Sequence, residues 1–263
     1  MLEVSHLRVV YGSGNDAVEA IGDLSLTVGG GELVCVVGPS GCGKSTLLRC
    51  LSGLMSPTSG EATLGGERIT GPPERMALVF QQYGRSLFPW MSVRANVEIP
   101  LRAKSLSASD RESLVEETVA AVGLADALDR YPWQLSGGMQ QRVAIARALA
   151  YQPEVLMMDE PFASVDAQTR AELEDLLLRI WAEFGVTVLF VTHDVDESVY
   201  LGDRVAVLSK SPSTVSEEVV VDLPRPRDQL TTKADPLFSE LRTRVLRSIR
   251  QDHPRSGAPL IER

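Results

Sequence analysis

Apolar and polar residues alternate in the first segments of the chain, Leu2–Val10 and then Ala20–Val28 (AIGDLSLTV). A period of two puts every second side chain on the same face, so both segments predict strands of a half-exposed antiparallel sheet. Glu32–Gly38 (ELVCVVG) is different: short, almost wholly apolar and β-branched, as a strand buried on both faces of a parallel sheet must be. Met76–Phe80, Glu154–Glu160, Val186–Val191 and Arg204–Leu208 read the same way. Glu61–Ile69 predicts a hairpin and Glu217–Leu223 an edge strand.

Helical periods lie between these strands. Lys44–Leu51 predicts a short helix stopped by Gly53. From about Pro89 to Ala150 the pattern is helical, and Ser109 with Glu112 predicts a capping box before RESLVEETVAAVG, which ends at Gly123. Leu173, Leu176, Leu177, Ile180, Trp181 and Phe184 recur at three-four spacing, the apolar stripe of an amphipathic helix. Strand and helix in alternation imply an α/β fold, its mostly parallel core sheet covered on both faces. The stretch up to Ala150 sits inside that alternation and is therefore an inserted helical lobe rather than a second domain. Arg225–Arg263 holds nine basic and five acidic groups, and reads as a solvated amphipathic helix (DPLFSELRTRVLRSIR) with a frayed end.

Composition narrows the function classes. The 263 residues carry 35 acidic against 26 basic groups, a net charge of −9, which disfavours general binding to phosphate backbones. No apolar run approaches the roughly 18 residues of a membrane span. The opening MLEVSHLRVVYG alternates like a strand and lacks the layout of a secretion signal, so a cytosolic chain is expected. Cys35, Cys42 and Cys50 have the spacing of neither a disulfide framework nor a zinc site.

The chemistry begins at Gly38-Pro39-Ser40-Gly41-Cys42-Gly43-Lys44-Ser45, which fits G-x-x-x-x-G-K-[ST] between a buried strand and a helix. The glycines let successive N–H groups point at phosphate oxygens, and the following helix adds its positive end. Lys44 supplies a charge for the β- and γ-phosphates, Ser45 a hydroxyl ligand for Mg²⁺, and Thr46 a hydrogen bond to an inner phosphate. Cys42, beside Lys44, is either a small filler of the loop or a reactive thiolate. Asp159 and Glu160 follow a buried strand at the end where α/β proteins bind ligands. Neighbours in a strand face opposite sides, so two jobs are expected: Asp159 on the Mg²⁺ shell, Glu160 on the attacking water. His193, after the next buried strand, is placed to contact the γ-phosphate. Gln81, after Met76–Phe80, is placed to reach the metal or the water. Ser136-Gly137-Gly138 opens a second helix whose bare N–H groups suit an anion. One nucleotide does not readily reach both phosphate readers of one molecule, whereas two molecules head to tail would trap two ATPs between them.

These motifs together resemble the ATP-binding cassette (ABC) ATPases: GPSGCGKST, VFQQ, LSGGMQQR, LMMDEP, SVD and THD occur in the family order over roughly residues 2–210. The resemblance implies a P-loop ATPase of residues 1–263 with four parts. These are a nucleotide-binding core with an N-terminal antiparallel β subdomain (1–85), a helical signature subdomain (86–150), a core with the acidic strand and histidine switch (151–212), and a C-terminal extension (213–263). It further implies that Tyr11 stacks on adenine, Gln81 couples nucleotide to a membrane partner, and Asp166 crosses a dimer interface. YGRSLFPWMSVRANV (Tyr83–Val97), PFASVDAQTR and LPRPRD…DPLF are similar to the nitrate/sulfonate/taurine importer ATPases, although Ala163-Ser164-Val165-Asp166 stands where that group has Gly-Ala-Leu-Asp. The implied protein hydrolyses ATP with Mg²⁺ as a homodimer on the cytoplasmic face of the cell membrane. It would energise a separate permease fed by an extracytoplasmic solute-binding protein, with Arg85–Trp90 facing the permease or packing inside the lobe. The alternatives are an exporter ATPase with the same chemistry, or a soluble clamp on DNA or ribosomes; the clamp predicts a coiled-coil insertion, a second cassette or a basic face, none of which is present.

Overall fold

A computed structural model describes residues 1–81 and 86–251, Asn15 by its backbone only. The strands are β1 (Leu2–Tyr11), β2 (Val18–Val28), β3 (Leu33–Val37), β4 (Ser59–Leu64), β5 (Glu67–Arg68), β6 (Met76–Val79), β7 (Val155–Asp159), β8 (Thr187–Val191), β9 (Arg204–Leu208) and β10 (Val215–Val220). The helices are α1 (Lys44–Leu51), α2 (Val93–Glu98), α3 (Ala108–Ala121), α4 (Gly137–Ala150), α5 (Ala167–Phe184), α6 (Val195–Leu201), α7 (Thr231–Ala234) and α8 (Pro236–Gln251).

Two sheets result. One is antiparallel, in the order β2-β1-β4-β5; the other runs β10-β9-β3-β8-β7-β6, parallel throughout except for the antiparallel edge β10. The apolar strands of the parallel sheet serve two cores at once. Leu33, Cys35, Val37, Leu156, Met158, Val188 and Phe190 face a core built with α2–α6 and α8. Their neighbours Val34, Val36, Val155, Met157, Leu189 and Val191 face α1 and the antiparallel sheet. Period-two geometry thus accounts for strands with no polar face: each face has its own layer to bury against. The lobe α2–α4 lies between β6 and β7 in the chain, inserted as its pattern predicts.

Three expectations are corrected. The capping box at Ser109 and Glu112 does not form. Ser107 caps α3 instead, its hydroxyl accepting from the Asp110 N–H at 3.1 Å and donating to the Asp110 carboxylate at 2.7 Å, so the helix starts two residues earlier. The edge strand is Val215–Val220, shifted toward the N-terminus by its pairing with β9. The segment after Arg225 is not a solvated arm over its described length. Arg227 is buried, Arg225 pairs with Asp203 at 2.7 Å and lies over the Trp181 ring, and Phe238, Leu241 and Val245 of α8 join the main core.

Candidate functional site

The parallel strands β3, β7 and β8 end together, and the loops leaving them assemble the site. Gly38–Gly43 connects β3 to α1, and Gly43, at φ +99°, is the residue before the helix. A side chain there would be strained by that φ and would meet the Ala20 carbonyl at 3.2 Å, so glycine is required. No side chain caps α1, which leaves the helix's first N–H groups for a ligand. Lys44 is buried, and its ammonium donates to the carbonyls of Gly38 at 2.9 Å and Pro39 at 3.2 Å, which fixes a cation at the loop's mouth. Cys42 is buried as well. Desolvation pushes its thiol up despite Lys44, which favours the loop filler of its two readings. Tyr11 reaches the same loop, its hydroxyl 3.0 Å from that of Thr46.

The acidic pair stands opposite. The Ser45 hydroxyl donates to the Asp159 carboxylate at 3.4 Å, and burial pushes the Asp159 carboxyl above its ordinary range. Strand alternation does not carry on to Glu160. It lies one residue past β7 with φ +42°, a left-handed turn held by its N–H on the Val191 carbonyl at 2.8 Å. The turn, rather than a strand face, aims its carboxylate: Glu160 Oε2 lies 2.9 Å from His193 Nδ1 and accepts from Gln81 Nε2 at 3.2 Å. Gln81, Glu160 and His193 therefore form one connected group.

Ser136-Gly137-Gly138 stands apart from this group. Ser136 caps α4, accepting from the Met139 N–H at 3.3 Å. Among the described residues no hydrogen bond or ion pair joins this turn to the loop Gly38–Thr46. Gly138 has a structural reason of its own, because a Cβ there would come within 2.5 Å of the Thr169 methyl. Asp166 caps α5, accepting from the Thr169 N–H at 3.0 Å and hydroxyl at 2.7 Å, and these bonds hold its carboxyl below the ordinary range. Trp90 is 70% exposed and touches a half-buried Phe88, while Arg85 lies outside the described residues.

Sequence reading passed over the support beneath His193. Asp194 caps α6 and accepts from Arg170 at 3.1 Å, and Glu197 is buried below the turn. An aspartate before a helix signals the cap; nothing in the pattern marks Glu197 as buried.

Comparison with known proteins gives the kinship of this arrangement. The ABC transporter family model matches residues 21–163. The nitrate import ATP-binding protein NrtD of Synechococcus elongatus is 48% identical over 86% of this chain and 83% of its own length. The bicarbonate transport ATP-binding protein CmpD of Synechocystis is 42% identical over 93% and 87%. Among solved structures, the dimeric post-hydrolysis state of an ATP-binding cassette bound to ADP and Pi has a TM-score of 0.73 at 32% identity, covering 84% of this chain and 99% of that one. Among the described residues no helix is long and apolar enough to cross a membrane. This chain belongs to the ABC transporter family, as its ATPase cassette.

Proposed function

We propose that the protein is the ATP-hydrolysing subunit of an ABC importer, working as a head-to-tail pair on the cytoplasmic face of the cell membrane beneath a separate permease. The solute is a small one of the nitrate, sulfonate or taurine kind, delivered by an extracytoplasmic binding protein. One observation carries the reading: a buried ammonium, a hydroxyl–carboxylate pair and a glutamate–histidine–glutamine group converge where three parallel strands end. Backbone N–H groups of Gly38–Gly43 with Lys44 and Thr46 hold the phosphates, and Tyr11, anchored at Thr46, stacks on the adenine.

The residues fit Mg²⁺. Ser45, Asp159 and the Gln81 side-chain carbonyl are oxygen donors of the type that cation takes, and among the described residues the half-buried Asp159 has only a long bond from Ser45 as its side-chain partner. When bound, Mg²⁺ supplies charge neutralisation at the β- and γ-phosphate oxygens. Glu160 takes a proton from the attacking water, His193 orients Glu160 and contacts the γ-phosphate, and Gln81 reports the state of the site to the permease. The partner's Ser136–Gly138 turn and Asp166 complete the site. The dimeric cassette of similar fold supports this pairing.

Glu160→Gln tests the reading. The amide keeps the shape of the side chain and loses the base, so turnover should fall by at least about a hundredfold while ATP binding and an ATP-dependent dimer persist. The tagged variant, captured from detergent-solubilised native membranes with ATP and Mg²⁺, should bring a polytopic permease with it. Undiminished turnover would remove Glu160 from the chemistry; a soluble self-dimer without membrane protein would remove the transporter role.

A further inference from the structure

The His193 ring is more than half exposed, so packing against the ring does not fix it, and the turn that carries it must. Before His193, the Thr192 N–H donates to the Val36 carbonyl at 3.1 Å, which ties the turn to β3. Across it, the Asp194 N–H donates to the Thr192 hydroxyl at 2.9 Å. Past it, the Asp194 carboxylate divides its two oxygens. Oδ1 accepts from the N–H groups of Asp196 at 2.9 Å and Glu197 at 3.2 Å, which ties the turn to α6. Oδ2 accepts from Arg170 Nη1 at 3.1 Å, which ties it to α5.

The base of that last tie is firm. Arg170 stands in the first turn of α5, and its N–H donates to the carbonyl of the capping residue Asp166 at 2.9 Å. The Asp166 carboxylate holds Thr169 by its N–H at 3.0 Å and its hydroxyl at 2.7 Å. The Thr169 methyl in turn fills the space that a Cβ at Gly138 would need, so the turn is braced against α4. Arg170 keeps its Nε buried without a partner, and among the described residues Asp194 is the one group its guanidinium bonds. Both also line the small pocket of Glu160 and His193; with Glu197, three carboxyl groups line it, and Arg170 is the one permanent cation among its lining residues. With side chains 31% and 33% exposed, the pair adds little to stability, so a large effect of Arg170 on turnover needs another cause.

We propose that Arg170 is a positioning residue for hydrolysis: its bond to Asp194 is a strut from α5 that holds the turn presenting His193 to Glu160. The inference rests on the reading of Glu160 and His193 given above. Arg170 acts only through Asp194. Without it the turn keeps its bonds to β3 and α6 and loses the one to α5, and the 2.9 Å contact between His193 Nδ1 and Glu160 Oε2 is no longer enforced from that side. A misplacement of about 1 Å in such a contact is enough to slow a reaction severely while leaving the substrate bound.

Steady-state ATP hydrolysis by the full chain with Mg²⁺ tests it. Arg170→Met keeps an unbranched apolar stem and removes the donors. Its kcat should fall at least about tenfold, with KM for ATP within about twofold and the melting temperature within about 3 °C of the wild type. Arg170→Lys, which keeps the charge and a donor, should recover to within about threefold of the wild type. Asp194→Asn keeps the cap of α6 and gives up the bond from Arg170. The double variant Arg170→Met/Asp194→Asn restores the net charge without the strut, so it should be as slow as Arg170→Met. Histidine NMR gives a readout that needs no turnover: of His6, His193 and His253, only the His193 signal should shift in Arg170→Met. Recovery of the double variant would reduce Arg170 to a charge, and equal losses of turnover and thermal stability without rescue by lysine would reduce it to packing. Either result would overturn the proposal, as would an unmoved His193 signal or a kcat within about twofold of the wild type. Turnover that survives Glu160→Gln would instead sink the reading beneath, leaving the histidine signal to report the strut by itself.

Discussion

Replacing Arg227 by alanine should destabilise the fold by about 3 kcal/mol, although the residue is far from the nucleotide loop and belongs to a segment of solvated composition. Its guanidinium is buried at the C-terminal end of α6, donating to the carbonyls of Tyr200 and Gly202, both at 2.8 Å. A longer bond reaches the Val221 carbonyl at 3.4 Å. Burial pushes the group down to about 10, so it stays charged at neutral pH, but the charged form bears a desolvation penalty of about 3 kcal/mol. The bonds and the negative end of α6 offset that penalty, and the intact arrangement is close to balanced. Alanine does not simply remove a balanced set. It leaves two buried carbonyls facing an unfilled space, and each such group costs about 1–3 kcal/mol. In a chain this long 1 kcal/mol moves the melting temperature by about 2–4 °C, so thermal unfolding should shift down by about 6–12 °C. Arg227→Lys, whose ammonium can still reach one or two of the carbonyls, should lose about half as much. An exposed arginine would be worth no more than about 0.5 kcal/mol. A shift of under about 2 °C for the alanine variant would therefore refute the packed arrangement of the C-terminal segment.

Two further outcomes follow from contacts at the second phosphate reader. Gly138→Ala puts a methyl within 2.5 Å of Thr169 Cγ2, and Thr169 cannot swing aside because its hydroxyl is held by Asp166 at 2.7 Å. The variant should lose about 1–3 kcal/mol in denaturant unfolding, and adding Thr169→Ser, which keeps the hydroxyl and removes the methyl, should restore most of it; no rescue would refute the clash. Ser136→Arg should abolish ATP-dependent dimerisation in size-exclusion chromatography and reduce turnover by at least about tenfold, with nucleotide affinity in the monomer unchanged. Normal ATPase rates would contradict the two-molecule site.

The parts legible in the sequence are those whose cause is local. Leu33–Val37 announces a doubly buried strand because no polar residue interrupts it, and the structure buries all five residues. The loop that follows is legible because its glycines and Lys44 are close in sequence, and the positive φ at Gly41 and Gly43 is a property of the residue type. Gln81, Glu160 and His193 could be nominated because each directly follows a buried strand, and parallel strands bring their ends together whatever the chain does between. The capping box fails for a related reason. Ser107-x-x-Asp110 and Ser109-x-x-Glu112 are both adequate local signals, and the helix takes the earlier one.

What the sequence hid depends on partners far along the chain. Glu160 was expected to follow strand alternation, yet the strand ends at Asp159, and the bond from its N–H to Val191 on the neighbouring strand turns it toward His193. Arg225 and Arg227 have the composition of a solvated tail. Only the three-dimensional fold offers them Asp203 and the carbonyls at the end of α6, more than twenty residues upstream. Glu197 is the extreme case, since an acidic residue in a short helix is ordinarily exposed and its burial is decided by β3, α5 and α8 closing around it. A division of labour follows from this. The groups proposed to touch the nucleotide sit at strand ends and can be read from type and spacing. Groups that fix their geometry sit behind them, in an environment the chain creates only by folding, and their charge state is set there.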